Sequence, residues 1–121
     1  MLLDMLLGKI HRATVTGTKI HYEGSIAVDP TWIAKAGLHE YLKVAVYNIN
    51  NGARFETYLV NGTKGAREVI VMGAAARLVM PGDRIIIAGF ALVEPAELKS
   101  GWKPKVVVLN EKNAVVKSSN I

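Results

Sequence analysis

The sequence predicts an all-β protein, a small closed β-barrel with short helices at its corners, and three observations carry that expectation. Six segments are rich in β-branched and aromatic residues. Turn-forming residues stand between them. The chain has only 121 residues, so this many strands leave room for short helices alone. An open sheet of that size would expose long edges, which closure removes.

Each element follows from local chemistry. Strands are expected over residues 9–16 (KIHRATVT), 42–49 (LKVAVYNI) and 54–60 (RFETYLV). Three more are expected over 68–72 (EVIVM), 84–93 (RIIIAGFALV) and 105–109 (KVVVL). The turns between them are Asn50-Asn51-Gly52, Asn61-Gly62 with Gly65, Pro81-Gly82-Asp83 and Glu111-Lys112-Asn113. Ile85-Ile86-Ile87 and Val106-Val107-Val108 are apolar without alternation, so both runs are expected to be covered on two faces. Residues 29–37 read as a helix with Asp29 as N-cap, Pro30 at its first position and Gly37 as terminator. Val28 and Ile33 occupy its hydrophobic-staple positions. Residues 74–79 form a second helix candidate stopped by Pro81, and 95–98 one further turn; residues 118–121 are expected to fray.

Composition removes whole classes of function. Half of the residues are hydrophobic, enough for one core, and nothing marks a linker or repeat, so residues 1–121 read as a single domain. The absence of cysteine excludes disulfides, thiolate zinc sites, iron–sulfur clusters and a cysteine nucleophile. Asp4 interrupts the apolar N-terminal run, no basic segment precedes it, and no stretch reaches the roughly 18–20 apolar residues of a membrane span. A cytoplasmic protein without membrane contact is the expectation. The net charge of +5 suits an ordinary soluble surface or an anionic small molecule. The eight aromatic residues are scattered without a basic–aromatic stretch, which argues against nucleic acid.

His11, His21 and His39 show no H-E-x-x-H spacing, so no metal is expected. No G-x-S-x-G surrounds Ser25, and no phosphate-cradling glycine loop is present. The informative set is His21-Tyr22-Glu23-Gly24-Ser25 with Lys9, Arg54-Phe55-Glu56-Thr57-Tyr58 and Gly73-Ala74-Ala75-Ala76. Singly these read as a tight turn, a strand face with snorkelling tips, and a close-packed helix start. Their order along the chain is more specific than any one of them.

With Lys9-Ile10-His11-Arg12, Asn51-Gly52-Ala53-Arg54-Phe55, Gly82-Asp83 and Lys103-Pro104, the set resembles the bacterial aspartate 1-decarboxylase family over nearly the whole chain. The resemblance implies a six-stranded double-psi β-barrel, a homotetramer, and a pyruvoyl cofactor made from the chain itself. It implies a zymogen cut between Gly24 and Ser25 into residues 1–24 and 25–121, the serine becoming the pyruvoyl group. In such chemistry the Ser25 hydroxyl attacks the Gly24 carbonyl, and β-elimination from the resulting ester leaves a dehydroalanine that hydrolyses. Thr57 would assist the carbonyl and His11 the proton movements of this maturation. The pyruvoyl carbonyl would form a Schiff base with the amine of L-aspartate and accept the electrons left by departing CO2, giving β-alanine for pantothenate synthesis. Tyr58 would return the proton.

Arg54 and Lys9 would hold the substrate carboxylates, with the backbone N–H groups of Gly73, Ala74 and Ala75 as further substrate contacts. Period-two geometry puts Arg54 and Tyr58 on one strand face and Thr57 on the other. Thr57 then either serves a neighbouring site or reaches in through a bulge. The family commonly has Asn before Gly73, where this chain has Met72, and Trp where it has Tyr47. Two alternatives stand beside this reading. One is a pyruvoyl-dependent glutamate decarboxylase, since one methylene discriminates weakly; the other is a non-catalytic basic barrel. Whether a maturation factor takes part is not written in the residues.

Overall fold

All six expected strands form, and three more join them. The computed structural model describes residues 1–120. Its strands are β1 (Leu3–Thr14), β2 (Gly17–Lys19), β3 (Ser25–Val28), β4 (Lys43–Asn48) and β5 (Arg54–Asn61), followed by β6 (Ile70–Met72), β7 (Arg84–Val93), β8 (Lys105–Leu109) and β9 (Val115–Asn120). They make one sheet in the order β2-β6-β3-β5-β4-β7-β1-β8-β9. Antiparallel pairs dominate, but β1–β8, β2–β6 and β3–β5 run parallel. Ile26 of β3, Leu59 of β5, Val71 of β6, Ile87 of β7 and Val107 of β8 belong to one buried cluster. Strands from both halves of the order thus supply a single core, and the sheet curls into an all-β barrel.

Two ties hold the far parts of the barrel together. Thr16 donates its backbone N–H to the Val69 carbonyl at 2.8 Å, and the Val69 N–H returns to the Thr16 hydroxyl at 2.9 Å. Asn113 is buried with φ 58°, a left-handed conformation that Asn tolerates. Its amide exchanges hydrogen bonds with the Thr14 backbone at 2.7 and 2.9 Å and donates to the Arg67 carbonyl at 3.0 Å. The end of β1, the β8–β9 turn and the segment before β6 are locked at one point.

The helix α1 (Pro30–Lys35) is set by its cap. One Asp29 oxygen accepts from the Thr31 N–H at 2.8 Å and the Thr31 hydroxyl at 2.7 Å, and the other from the Gly65 N–H at 2.8 Å. Burial alone would raise the Asp29 pKa, but these bonds and the Lys64 charge together hold it below the usual carboxylate value. Val28 and Ile33 are both buried, as the staple requires.

Several expectations need correction. Residues 73–78 and 95–98 are short 3-10 helices rather than α-helical turns. Residues 118–120 do not fray: β9 pairs with β8, Ser119 abreast of Val106; Ile121 lies outside the described residues. Ile86 and Val108 are only half-buried, because the outward face of β7 and β8 is not covered within one chain. The turn expected at Gly24-Ser25 opens directly into a strand, and that change positions the site.

Candidate active site

Ser25 begins β3, a four-residue strand whose every residue is buried. On one side β3 pairs antiparallel with β6, placing Ser25 abreast of Met72. On the other it runs parallel to β5 with Ile26 abreast of Leu59, so one step back sets Ser25 abreast of Tyr58. β2 continues the row, Lys19 standing abreast of Met72. Four neighbouring strands thus align Lys19, Met72, Ser25 and Tyr58 across one face. This row lines a cleft of about 400 Å³, whose walls also include Tyr22, Tyr41 and Asn61.

The scissile segment suggested by the sequence is tightly held. Ser25 is 4% exposed, and its hydroxyl turns back along the chain toward the Glu23 carbonyl at 3.5 Å. That contact is too long to fix the oxygen strongly. Gly73, with φ 79°, packs against Gly24. A Cβ at position 73 would lie 2.6 Å from the Gly24 Cα and 2.9 Å from its nitrogen. Only glycine leaves room for the 24–25 backbone here.

Tyr58 is 38% exposed at the cleft and shares its β5 face with Arg54, while Thr57 points to the opposite face beside Val44. Thr57 therefore does not line the cleft. Arg54 lies four residues from Tyr58, about 13 Å along the strand, with its guanidinium 3.9 Å over the Tyr47 ring. Lys9 and His11, on β1, stand abreast of Ala88 and Ile86 of β7. β7 and β4 lie between β1 and β5, so neither side chain reaches Ser25 of the same chain. Gly73 meets the 24–25 segment, but Ala74 is exposed and Ala75 packs on the core. Of the expected site residues, one chain brings together Gly24, Ser25, Tyr58 and Gly73. Lys9, His11 and Arg54 share the outer face of the sheet at a distance from them.

His11 has a distinct environment. Its Nδ1 is buried without a hydrogen-bond partner. Burial first, then the charges of Lys9, Arg12 and Arg84, lower its pKa from the ordinary value of 6.5, keeping the ring neutral. Among the described residues no group of three or more His, Cys, Asp or Glu could hold a metal ion. No helix there is long and apolar enough to cross a membrane.

The sequence points to neither Lys19 nor Tyr41, and it marks Asn61 only as a turn residue. Lys19 is an isolated strand-end lysine, and only the pairing of β2 with β6 puts it in the row. Tyr41 does carry a structural signal, a φ of 69° that bulky residues rarely adopt.

Comparison with known proteins agrees with the motif order. The aspartate decarboxylase family matches residues 1–116. The aspartate 1-decarboxylase of Burkholderia vietnamiensis is 49% identical over 111 residues, covering 92% of this chain and 87% of that protein. The aspartate 1-decarboxylase of Leptospira biflexa is 48% identical over 113 residues, covering 93% and 96% respectively.

Proposed function

Because the chain belongs to the aspartate decarboxylase family, we propose that it decarboxylates L-aspartate to β-alanine with a pyruvoyl group made from its own Ser25. The observation that carries this is the cradle at Gly24-Ser25: a buried serine, its hydroxyl turned back toward the Glu23 carbonyl, next to a glycine against which only a glycine at position 73 can pack. A cofactor built from residue 25 fits that cradle. It needs no volume beyond that of the serine, and it faces the cleft.

Maturation uses the chain's own groups. The Ser25 oxygen attacks the Gly24 carbonyl carbon, the C–N bond to Ser25 breaks, and an ester and a free amine result. Loss of the Ser25 Cα proton expels the Gly24 carboxylate and leaves a carbon–carbon double bond. Tautomerisation and water then release ammonia and leave a ketone. The absence of a Cβ at Gly24 permits the cramped approach. When present, the pyruvoyl carbonyl supplies an electron sink beside the substrate α-carbon. Tyr58, abreast of residue 25 across the β3–β5 pair, holds a phenolic proton at the cleft and delivers it to that carbon after CO2 leaves. The buried position of residue 25 limits water access to the reacting atoms.

Lys9, His11 and Arg54 enter through association. They lie on the outward face of the barrel, which also carries a groove of about 410 Å³ with Phe90, Ala45 and the 66%-exposed Leu92. A second copy laid against this face would cover the apolar groove and bring a set of cations to the first copy's cleft. A homotetramer with shared sites is the assembly this supports, and light scattering of a fully active monomer would exclude it.

Intact mass spectrometry with activity measurement tests the whole reading. The wild-type chain should yield fragments 1–24 and 25–121 and form β-alanine, with activity lost to borohydride in the presence of substrate. Ser25→Ala should remain one folded, inactive chain. β-Alanine formation by Ser25→Ala would refute the proposal.

A further inference from the structure

Among the described residues, two buried side-chain polar atoms lack a hydrogen-bond partner, the Nδ1 of His11 and the Oγ1 of Thr14. Both belong to β1, three positions apart. On a regular strand that spacing puts two side chains on opposite faces. β1 is not regular there. Arg12, with φ 66°, is one residue more than β7 can pair, and it makes a bulge between His11 and Ala13. His11 therefore stands abreast of Ile86 and Thr14 abreast of Arg84, two residues apart on β7 and on one face. Strand geometry sets their α-carbons about 7 Å apart, within the combined reach of a hydroxyl and an imidazole.

The bulge is held from both sides. The Arg84 guanidinium donates to the Arg12 carbonyl at 2.7 and 3.1 Å and to the Leu109 carbonyl at 3.1 Å. Asn113 clamps the Thr14 backbone through its N–H and its carbonyl. Rotation of the side chain is the freedom left to the Thr14 hydroxyl. Both orphan atoms are closed off within a single chain, so a second copy laid on this face cannot supply their partners.

A buried polar atom left alone is costly, and these two are complementary. Burial, then the charges of Lys9, Arg12 and Arg84, keep the ring neutral; Lys117 stands abreast of Val108, which is itself abreast of His11. A neutral imidazole has one bare nitrogen and one N–H. If the hydroxyl accepted from Nδ1–H, its own proton would be buried without an acceptor. Donation from the hydroxyl to a bare Nδ1 satisfies both atoms.

We propose that Thr14 is a positioning residue for His11: its hydroxyl donates to Nδ1 and holds the ring in the tautomer that carries its proton on Nε2. The part of His11 in maturation is then that of a hydrogen-bond donor at its open edge rather than a base. This rests on the reading of Ser25 as the processed residue. Removing one neutral hydrogen bond should slow cleavage about two- to twelvefold.

The test compares wild type, Thr14→Val, which keeps the shape, and Thr14→Ser, which keeps the hydroxyl. Ring 15N–1H correlation spectra of the full chain, with His11→Gln to assign the signals, read the tautomer. A time course of the uncut fraction by mass spectrometry reads maturation. The expected result is a proton on Nε2 in wild type, mixed tautomers and two- to twelvefold slower cleavage in Thr14→Val, and recovery of both in Thr14→Ser. A wild-type proton on Nδ1 overturns the proposal without any substitution. An unchanged tautomer in Thr14→Val overturns it too, as do equal losses in both variants, which would make Thr14 a packing residue of β1. A changed tautomer with wild-type cleavage overturns the donor role in maturation. Failure of the underlying reading shows separately, as a wild-type chain that stays whole while its His11 ring carries the proton on Nε2.

Discussion

Gly73→Ala should stop maturation without unfolding the barrel. The added Cβ would sit 2.6 Å from the Gly24 Cα and 2.9 Å from the Gly24 nitrogen, both backbone atoms with no rotamer to change. Ordinary contact requires roughly 3.5 Å, so the 24–25 segment must retreat by about 1 Å. A displacement of that size between reacting groups costs on the order of 100-fold in rate. The left-handed φ of 79° adds strain of about 1–2 kcal/mol for a residue with a side chain. Strain and displacement can be separated with Gly52→Ala, whose φ is 76° with nothing within 4 Å of the new Cβ. That control should lose about 1 kcal/mol of stability and still cleave normally. The assay is a time course of the uncut fraction by mass spectrometry, with melting curves for both variants. Cleavage of a folded Gly73→Ala protein at more than about one-tenth of the wild-type rate would refute the argument.

Tyr58→Phe should cleave completely yet lose about 100-fold or more in kcat with little change in KM, since only the proton is removed; a change confined to KM would contradict the donor role. Tyr41→Asn should raise stability by about 0.5–1 kcal/mol in denaturant melts. Tyr41 is 72% exposed and has φ 69°, so Asn relieves part of the left-handed cost and forfeits little packing. The lowered pKa of His11 means that the folded protein binds its proton less readily than the unfolded chain. Its contribution is therefore intact above the unfolded value of 6.5 and is lost as pH falls from there through the folded pKa; His11→Gln should flatten that part of the stability–pH curve. Met72→Asn places an amide beside Ser25 in the β6–β3 pair and should quicken cleavage or turnover two- to twelvefold, the worth of about 0.5–1.5 kcal/mol in the transition state. An unchanged rate with a lower melting temperature would show that the 8%-exposed Met72 is there to pack.

Much of the fold was legible because its signals are local. Asp29, Pro30 and Gly37 mark a helix by cap chemistry, and the alternation of residues 54–60 separates Arg54 and Tyr58 from Thr57 without knowledge of the neighbouring strands. The short strands were not legible. Ser25-Ile26-Ala27-Val28 is four residues long and wholly buried, so it shows no alternation, and the preceding glycine favours a turn reading. Its strand character comes from partners at residues 59–61 and 70–72. Likewise β9 reads as a polar tail until β8 supplies its hydrogen bonds.

The site divides along the same line. The resemblance carried by the motif order named Gly24, Ser25, Tyr58 and Gly73 together with Lys9, His11, Arg54, Thr57, Ala74 and Ala75, and a single chain brings only the first four together. Distance was not legible. Arg54 and Tyr58 share a face by parity, yet about 13 Å of strand lies between them, and Lys9 belongs to a strand with β7 and β4 interposed. Lys19 shows the converse. It has no motif and no periodic partner, and it gains significance only because a three-residue strand pairs with residues 70–72, some fifty positions away. Parity along a strand is a local property, while adjacency between strands is decided by the closure of the barrel. A sequence can therefore name motif residues more readily than it can say which of them stand side by side. In this chain Lys19 stands in one row with Met72, Ser25 and Tyr58, a placement that only the topology reveals.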